Sequence, residues 1–244
     1  MSVSRDAPIA QLPLGLSLAP GATFASYFTG PNALAVALLR DMAEATGERQ
    51  IYVAAGAGLG KSHLLQAACH AAGSRGEPVA YLPLGEVGVP DPAVFDGLEE
   101  LALVAVDDVD AVVGRPEWEM ALFRLINGMR ISGARLALAA RAAPAELGVG
   151  LPDLASRLAW GPVVRLVDLD DEAKGEALIE RARQLGLELP AATANYLVRH
   201  HRRDLAGLLA RLEELDRASL AAGRRLTVPF VRQVLGCATE DPPS

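Results

Sequence analysis

Hydrophobic rhythm divides the chain into three stretches. Up to about residue 20 there is no rhythm. Apolar and polar positions mix without period, and Pro8, Pro13 and Pro20 interrupt them, so this stretch reads as an extended arm. Residues 31–45 place apolar positions at helical spacing behind Pro31, a residue suited to a first helical turn. An alternation follows. Residues 51–55, 79–84, 101–106, 135–140 and 163–167 are short, nearly unbroken apolar runs, and residues 62–72, 93–100, 118–131 and 154–159 between them read as helices. Strands that are apolar throughout are buried on both faces, and helices alternating with them imply a parallel sheet covered on both sides. From about residue 170 the strands stop, and residues 171–185, 191–200, 204–222 and 228–235 read as helices packed on one another. The expected organisation is an arm (1–20), an α/β domain (21–169), an all-helical domain (170–236) and a tail (237–244).

Charge sharpens this division. The 244 residues carry 23 basic and 30 acidic side chains, a net charge of −7. Residues 174–235 hold 11 basic and 7 acidic residues, a net of +4, whereas residues 1–173 carry −9. A basic helical cap over an acidic body suits an anion held between them, although ordinary solvated helix faces give the same count. The negative total argues against direct DNA binding, for which basic stripes supply the affinity. Cys69 and Cys237 form neither a metal-ligand spacing nor a disulfide framework, and with no secretory signal the reading is a reducing, cytoplasmic setting. Residues 7–39 lack charge, but their prolines leave no run near the roughly 20 apolar residues that span a bilayer. Only two of the basic residues are lysines, Lys61 and Lys174, which marks both as candidates for a specific task.

The first lies in a motif. The apolar run at 51–54 leads into Ala55-Gly56-Ala57-Gly58-Leu59-Gly60-Lys61-Ser62 and then a helix. A strand, a glycine-rich turn, Lys and then Ser opening a helix is the pattern of a phosphate-binding loop. Glycines let main-chain N–H groups turn inward around phosphate oxygens, and the helix N-terminus adds positive potential. Lys61 is placed to reach the β/γ-phosphates and Ser62 to bring its hydroxyl to Mg²⁺. Ala55 stands where the pattern has its first glycine, which is tolerable if the backbone there stays in a region open to L-residues. A second motif follows: residues 101–106 form an apolar strand that ends in Asp107-Asp108. At that strand end an acid holds the Mg²⁺ shell in P-loop NTPases, the role assigned to Asp107. Asp108 sits where a water-polarising base belongs, and Asp110 reads as a turn or helix-cap residue.

Several segments carry a resemblance. Thr23-Phe24-Ala25-Ser26-Tyr27-Phe28 with Gly30 and Asn32, the run Gly58 to Leu65, Asp107-Asp108, Leu151 to Leu158, and Arg203-Asp204-Leu205-Ala206-Gly207 resemble the DnaA-related AAA+ family over about residues 11–236. The match is nearer to its short branch of replication-regulating inactivators, because the chain stops near Leu235 without a DNA-binding helix-turn-helix. The resemblance implies an AAA+ P-loop NTPase fold, α/β with a parallel five-stranded sheet and flanking helices, followed by a small helical lid. It implies ADP or ATP with Mg²⁺ at residues 55–62, with Ser62 and Asp107 holding the metal through the nucleotide and Arg203 reaching it from the lid. Arg202 takes that place if the register is one off, and a solvated cluster with His200 and His201 is the plain alternative. Arg157 resembles an arginine finger offered to a neighbour's nucleotide, the plain alternative being a pair with Asp153 one turn earlier. Gln11-Leu12-Pro13-Leu14-Gly15-Leu16 resembles the segment by which the family docks on the sliding clamp of the DNA polymerase. The implied partners are DnaA, that clamp and further copies of the chain, and the implied role is to stimulate hydrolysis by DnaA. A self-hydrolysing loader and a clamp adaptor with a purely structural nucleotide remain as alternatives. The chain departs from the family at Ala55 and after residue 140, where Arg141 replaces an acidic or amide residue; both departures predict weak hydrolysis of its own. His63, His70, Trp118 and Trp160 read as packing or solvated residues, and Asp168, Asp170, Asp171 and Glu172 as a charge cluster at a helix start.

Overall fold

The computed structural model describes residues 18–19, 21–85, 91–201 and 204–236. The segment 11–16, Arg202, Arg203 and Cys237 lie outside the described residues. Five strands form one parallel sheet: β1 (Gln50–Ala54), β2 (Val79–Pro83), β3 (Leu103–Asp107), β4 (Arg135–Ala140) and β5 (Val163–Arg165), in the order β2-β3-β4-β1-β5. Their apolar side chains alternate between two cores. Tyr52, Leu82, Val104, Val106 and Leu138 face α3 (Pro116–Ser132), with Trp118, Leu122 and Ile126. Ile51, Val53, Leu103, Ala105 and Ala137 face α1 (Ala33–Ala43) and α2 (Lys61–Gly73), with Leu39, Met42, Leu64 and Leu65. Burial on both faces is why β1, β3 and β4 read as unbroken apolar runs, whereas β5 at the sheet edge buries only Val164. Where β4 begins, Arg135 is buried and donates to the carbonyls of Met42 and Ala43 at 2.8 and 2.9 Å, so a charged group closes the end of α1.

The insertion of β4 between β1 and β3 matters for function. Register pairs Ala54 with Ala140 and Val106 with Leu138, so the C-terminal ends of β1, β3 and β4 lie level at one sheet edge, where ligands of open α/β sheets bind. After β4 come α4 (Pro152–Leu158) and β5. The remaining helices α5 (Asp171–Gln184), α6 (Ala191–His200), α7 (Leu205–Ala222) and α8 (Val228–Leu235) enclose their own core of Leu178, Leu197, Leu208, Leu212, Leu215 and Phe230.

One expected helix is corrected. Residues 93–100 form two short 3-10 turns, Pro92–Phe95 and Leu98–Glu100, because Gly97 between them sits at φ +81° and ends any helical run. Asp110 lies in the short 3-10 turn Val109–Ala111, the turn reading of the two expected, and its carboxylate accepts the N–H of Arg141 at 3.0 Å and tethers the ends of β3 and β4. Arg157 makes no ion pair with Asp153 among the described residues. No described helix is long and apolar enough to cross a membrane.

Candidate functional site

Residues 55–60 leave β1 and turn into α2. Ala55 keeps a negative φ, and its N–H still donates to the Ala140 carbonyl at 3.0 Å just past the end of β1, so alanine fits where the pattern has glycine. Gly58 and Gly60 do need to be glycine, with φ of +77° and +87°. Gly60 is doubly constrained, because a Cβ there would lie 2.7 Å from Tyr27 Cε2. None of the N–H groups of residues 56–60 donates to a protein acceptor among the described residues. Unpaired amides ahead of a helix N-terminus form an anion cradle. Lys61 is buried over it, and its Nζ donates to the carbonyls of Ala55 and Gly56 at 3.0 and 3.1 Å. No carboxylate among the described residues pairs with it, so its charge is available to an anion.

Asp107 is fully buried at the end of β3. Its Oδ2 accepts from the Tyr81 hydroxyl and its Oδ1 from the N–H of Asp108, both at 2.9 Å. Burial beside this carboxylate pushes the Tyr81 phenol up, so it stays a donor. Asp108 takes φ +50°, ψ +46°, a left-handed conformation that few residues other than glycine adopt. Partial burial raises its pKa, the charge of Asp107 adds to that rise, and Lys61 opposes it. At the end of β4 the Arg141 main chain and guanidinium both engage Asp110, and the side chain is exposed.

A cavity of about 440 Å³ opens beside the loop. Residues 25–29 and Asn32 form one wall, residues 58–63 the floor, and Ala177, Arg181, Leu205 and Leu209 of the lid the opposite wall. Asn32 fixes the first wall by donating to the Val167 carbonyl at 3.1 Å and accepting the Val167 N–H at 2.8 Å. His63 bonds the Thr23 carbonyl at 2.9 Å through Nε2, which ties α2 to the first wall, and burial lowers its pKa. His70 likewise meets the Ala19 carbonyl at 3.0 Å. The lid reaches the loop itself, since a Cβ at Gly58 would lie 3.4 Å from Cβ of Asp204, the residue that caps α7. Geometry thus brings Ala55–Ser62, Asp107 and Asp108 to one edge, under a lid that adds Arg181. Arg181 does not stand out from sequence pattern, since it is an ordinary helix arginine, whereas Tyr27 lies in the segment 23–28 already marked by the family resemblance.

Arg157 lies elsewhere. Its carbonyl accepts from Gln50 Nε2 at 2.7 Å, so it is tied to the first residue of β1. The phosphate loop leaves the other end of that strand, about 16 Å away at the rise of a strand. The helix carrying Arg157 is also held at its start. Buried Glu119 on α3 accepts from the N–H groups of Gly114, Gly150 and Leu151 at 2.8, 3.0 and 2.8 Å. Burial would raise this carboxylate, but the three donors outweigh it and its pKa is lowered. Sequence reading passed over Glu119. Its signal was an acid on the apolar stripe of α3, one turn from Leu122 and two from Ile126.

Comparison with known proteins fits this geometry. Residues 171–235 match the family model described as Hda, lid domain. Domain III of the Thermotoga maritima replication initiation protein DnaA superposes with a TM-score of 0.77 at 21% identity, covering 92% of this chain and 100% of that one. AMPPCP-bound DnaA from Aquifex aeolicus gives 0.71 at 24%, covering 84% of this chain and 68% of that one. The RuvB Holliday junction branch migration motor of Thermotoga maritima gives 0.63 at 15%, covering 84% and 66%. The fold is therefore that of an AAA+ domain with a helical lid, as the sequence implied.

Proposed function

We propose that this chain, an AAA+ fold of the DnaA kind with a lid matching the Hda lid domain, is a nucleotide-holding regulator of replication initiation. It docks on the sliding clamp through residues 11–16 and presents Arg157 to ATP held by DnaA, so that DnaA hydrolyses its nucleotide and initiation is restrained. ADP or ATP is its own ligand. The residues fit a nucleotide with Mg²⁺: loop amides that meet no protein acceptor and a Lys61 that meets no carboxylate among the described residues, and a buried Asp107 at the end of β3, two strands from β1 at the same sheet edge. The loop amides and Lys61 hold the phosphates, and Ser62 and Asp107 hold the metal shell. Magnesium, when bound, neutralises phosphate charge.

The observation that carries the trans role is the Gln50–Arg157 tie. It puts Arg157 a strand's length from the chain's own phosphate loop, beyond the reach of one side chain, so any nucleotide it serves belongs to a neighbour. A guanidinium so placed stabilises charge developing on the γ-phosphoryl oxygens, an effect of about 10³–10⁵ in rate in other systems. The test is Arg157→Ala in the clamp-bound chain. Nucleotide and clamp binding persist while stimulation of DnaA hydrolysis is lost; undiminished stimulation overturns the reading. A second reading, a self-hydrolysing loader or remodeller, is favoured by the intact Asp107–Asp108 pair. Robust turnover by the isolated chain, abolished by Asp108→Asn, selects it instead.

A further inference from the structure

We propose that Trp160 is the positioning residue for the Arg157 guanidinium, and that Arg130 is a second cation of the same anion-receiving site; this rests on the reading of Arg157 as a group offered in trans. Cζ of Arg157 lies 3.8 Å from the centre of the Trp160 ring and Cζ of Arg130 lies 3.9 Å from it. Two planar guanidinium groups this close to one centre have no room on a single face, so they occupy the two faces of the indole. The centre of the Phe123 ring lies a further 5.9 Å from Cζ of Arg157.

Four features distinguish this stack from ordinary surface packing. Stacking engages the flat face of a guanidinium and leaves its in-plane donors free for phosphate. Nε of Arg157 is buried with no acceptor, and no side-chain donor of Arg157 meets a protein acceptor among the described residues, so its terminal nitrogens are what it presents. Neither arginine forms an ion pair among the described residues, although Asp153 stands one turn before Arg157. The backbone is held as well, by Gln50 at the end of α4 and by Glu119 at its start. A flexible side chain on a fixed helix is thereby fixed in turn, with two positive charges and no neutralising carboxylate among the described residues. The fitting ligand is the terminal phosphoryl group of a nucleoside triphosphate carried by the neighbouring protein. Positioning before encounter removes the cost of ordering the side chain at the transition state.

The experiment compares Trp160→Leu, Trp160→Tyr and Arg157→Ala in the clamp-bound full chain, measuring DnaA-catalysed ATP hydrolysis against concentration of the chain. Trp160→Leu is expected to lower the saturating rate about tenfold with the half-maximal concentration unchanged, as for a group acting only in the transition state. Trp160→Tyr is expected to restore most of the rate, and both variants to keep the chain's own nucleotide affinity. A saturating rate untouched by Trp160→Leu overturns the proposal, as does a tyrosine variant no better than leucine. If Arg157→Ala itself leaves the rate unchanged, the trans reading falls and this proposal with it. If Arg157→Ala abolishes stimulation while Trp160→Leu does not alter it, only this proposal falls. The unsubstituted chain gives an independent readout: the Arg157 Nε–Hε proton should resonate upfield from the ring current of Trp160, and an unshifted proton overturns the stack.

Discussion

At the scale of single residues, Glu119 shows how one buried charge serves a distant group. An isolated carboxylate in the core is costly, and three charge-assisted hydrogen bonds from main-chain donors offset that cost. Two of the donors, Gly150 and Leu151, lead directly into the helix that carries Arg157. Glu119→Ala should destabilise the protein by about 3 kcal/mol, lowering the thermal midpoint by about 6–12 °C. It should also weaken stimulation of the partner without changing nucleotide affinity. The sign of the pH effect follows from the lowered pKa. Stability contributed by Glu119 is fully present above the ordinary value of 4.5 and is lost as pH falls through the lower folded value. Denaturant titrations should therefore show the gap between the unsubstituted chain and Glu119→Gln closing as pH falls below 4.5. A gap constant over that range would place the carboxylate's hydrogen bonds outside the folded state. Asp108 poses the opposite case, a non-glycine residue held in a left-handed conformation. Asp108→Gly should stabilise the fold by about 0.5–1 kcal/mol, read as a higher midpoint in denaturant.

At the scale of elements, the phosphate loop separates glycines that are required from glycines that are not. Gly56 has an ordinary φ, and a Cβ there would meet nothing closer than 3.9 Å; Gly60 has a left-handed φ and Tyr27 at 2.7 Å. Gly56→Ala should bind nucleotide nearly as the unsubstituted chain does. Gly60→Ala should lose at least tenfold in affinity, a step of about 1.4 kcal/mol, by displacing Tyr27 or the loop. Calorimetric titration with ADP separates the two, and equal losses would mean the loop tolerates no side chain anywhere. The same contrast explains what was legible in the sequence. Period and burial are local properties, so all five strands and the lid helices could be read from apolar runs and helical spacing, with residues 135–140, 191–200 and 228–235 matching in full. The loop was legible because its backbone demands specific residue types. Residues 93–100 misled because their apolar spacing is helical while the φ of Gly97 is not. Glu119, Arg181 and the Trp160 stack escaped because each gains its role only from partners far along the chain.

At the scale of the molecule, the question is what couples the lid to the sheet. The second lysine gives an answer. Lys174, in the first turn of α5, is buried, and its Nζ donates to Asp168 at 3.0 Å, across the junction between β5 and the lid. Asp168 also accepts the N–H of Leu169, and Asp170 caps α5 through Ala173, so residues 168–174 form one hydrogen-bonded elbow. The cavity spans this elbow, with Asp168 and Leu169 on its lining and Arg181 two turns further along α5. Loosening the elbow must therefore change how often the lid meets the loop. Asp168 stands half exposed, so the pair is worth less than a fully buried one. Asp168→Ala leaves the buried ammonium unpaired and should cost about 1–2 kcal/mol of stability. Lys174→Met keeps the volume, removes the charge and should cost less than that in denaturant unfolding. Both should weaken nucleotide affinity several-fold and speed hydrogen exchange of α5 amides in the nucleotide-bound chain, because both free the lid. Were Lys174→Met to leave affinity and exchange unchanged, the apolar contacts of the lid alone would set its closure, and the lysine would be a buried charge without a coupling role.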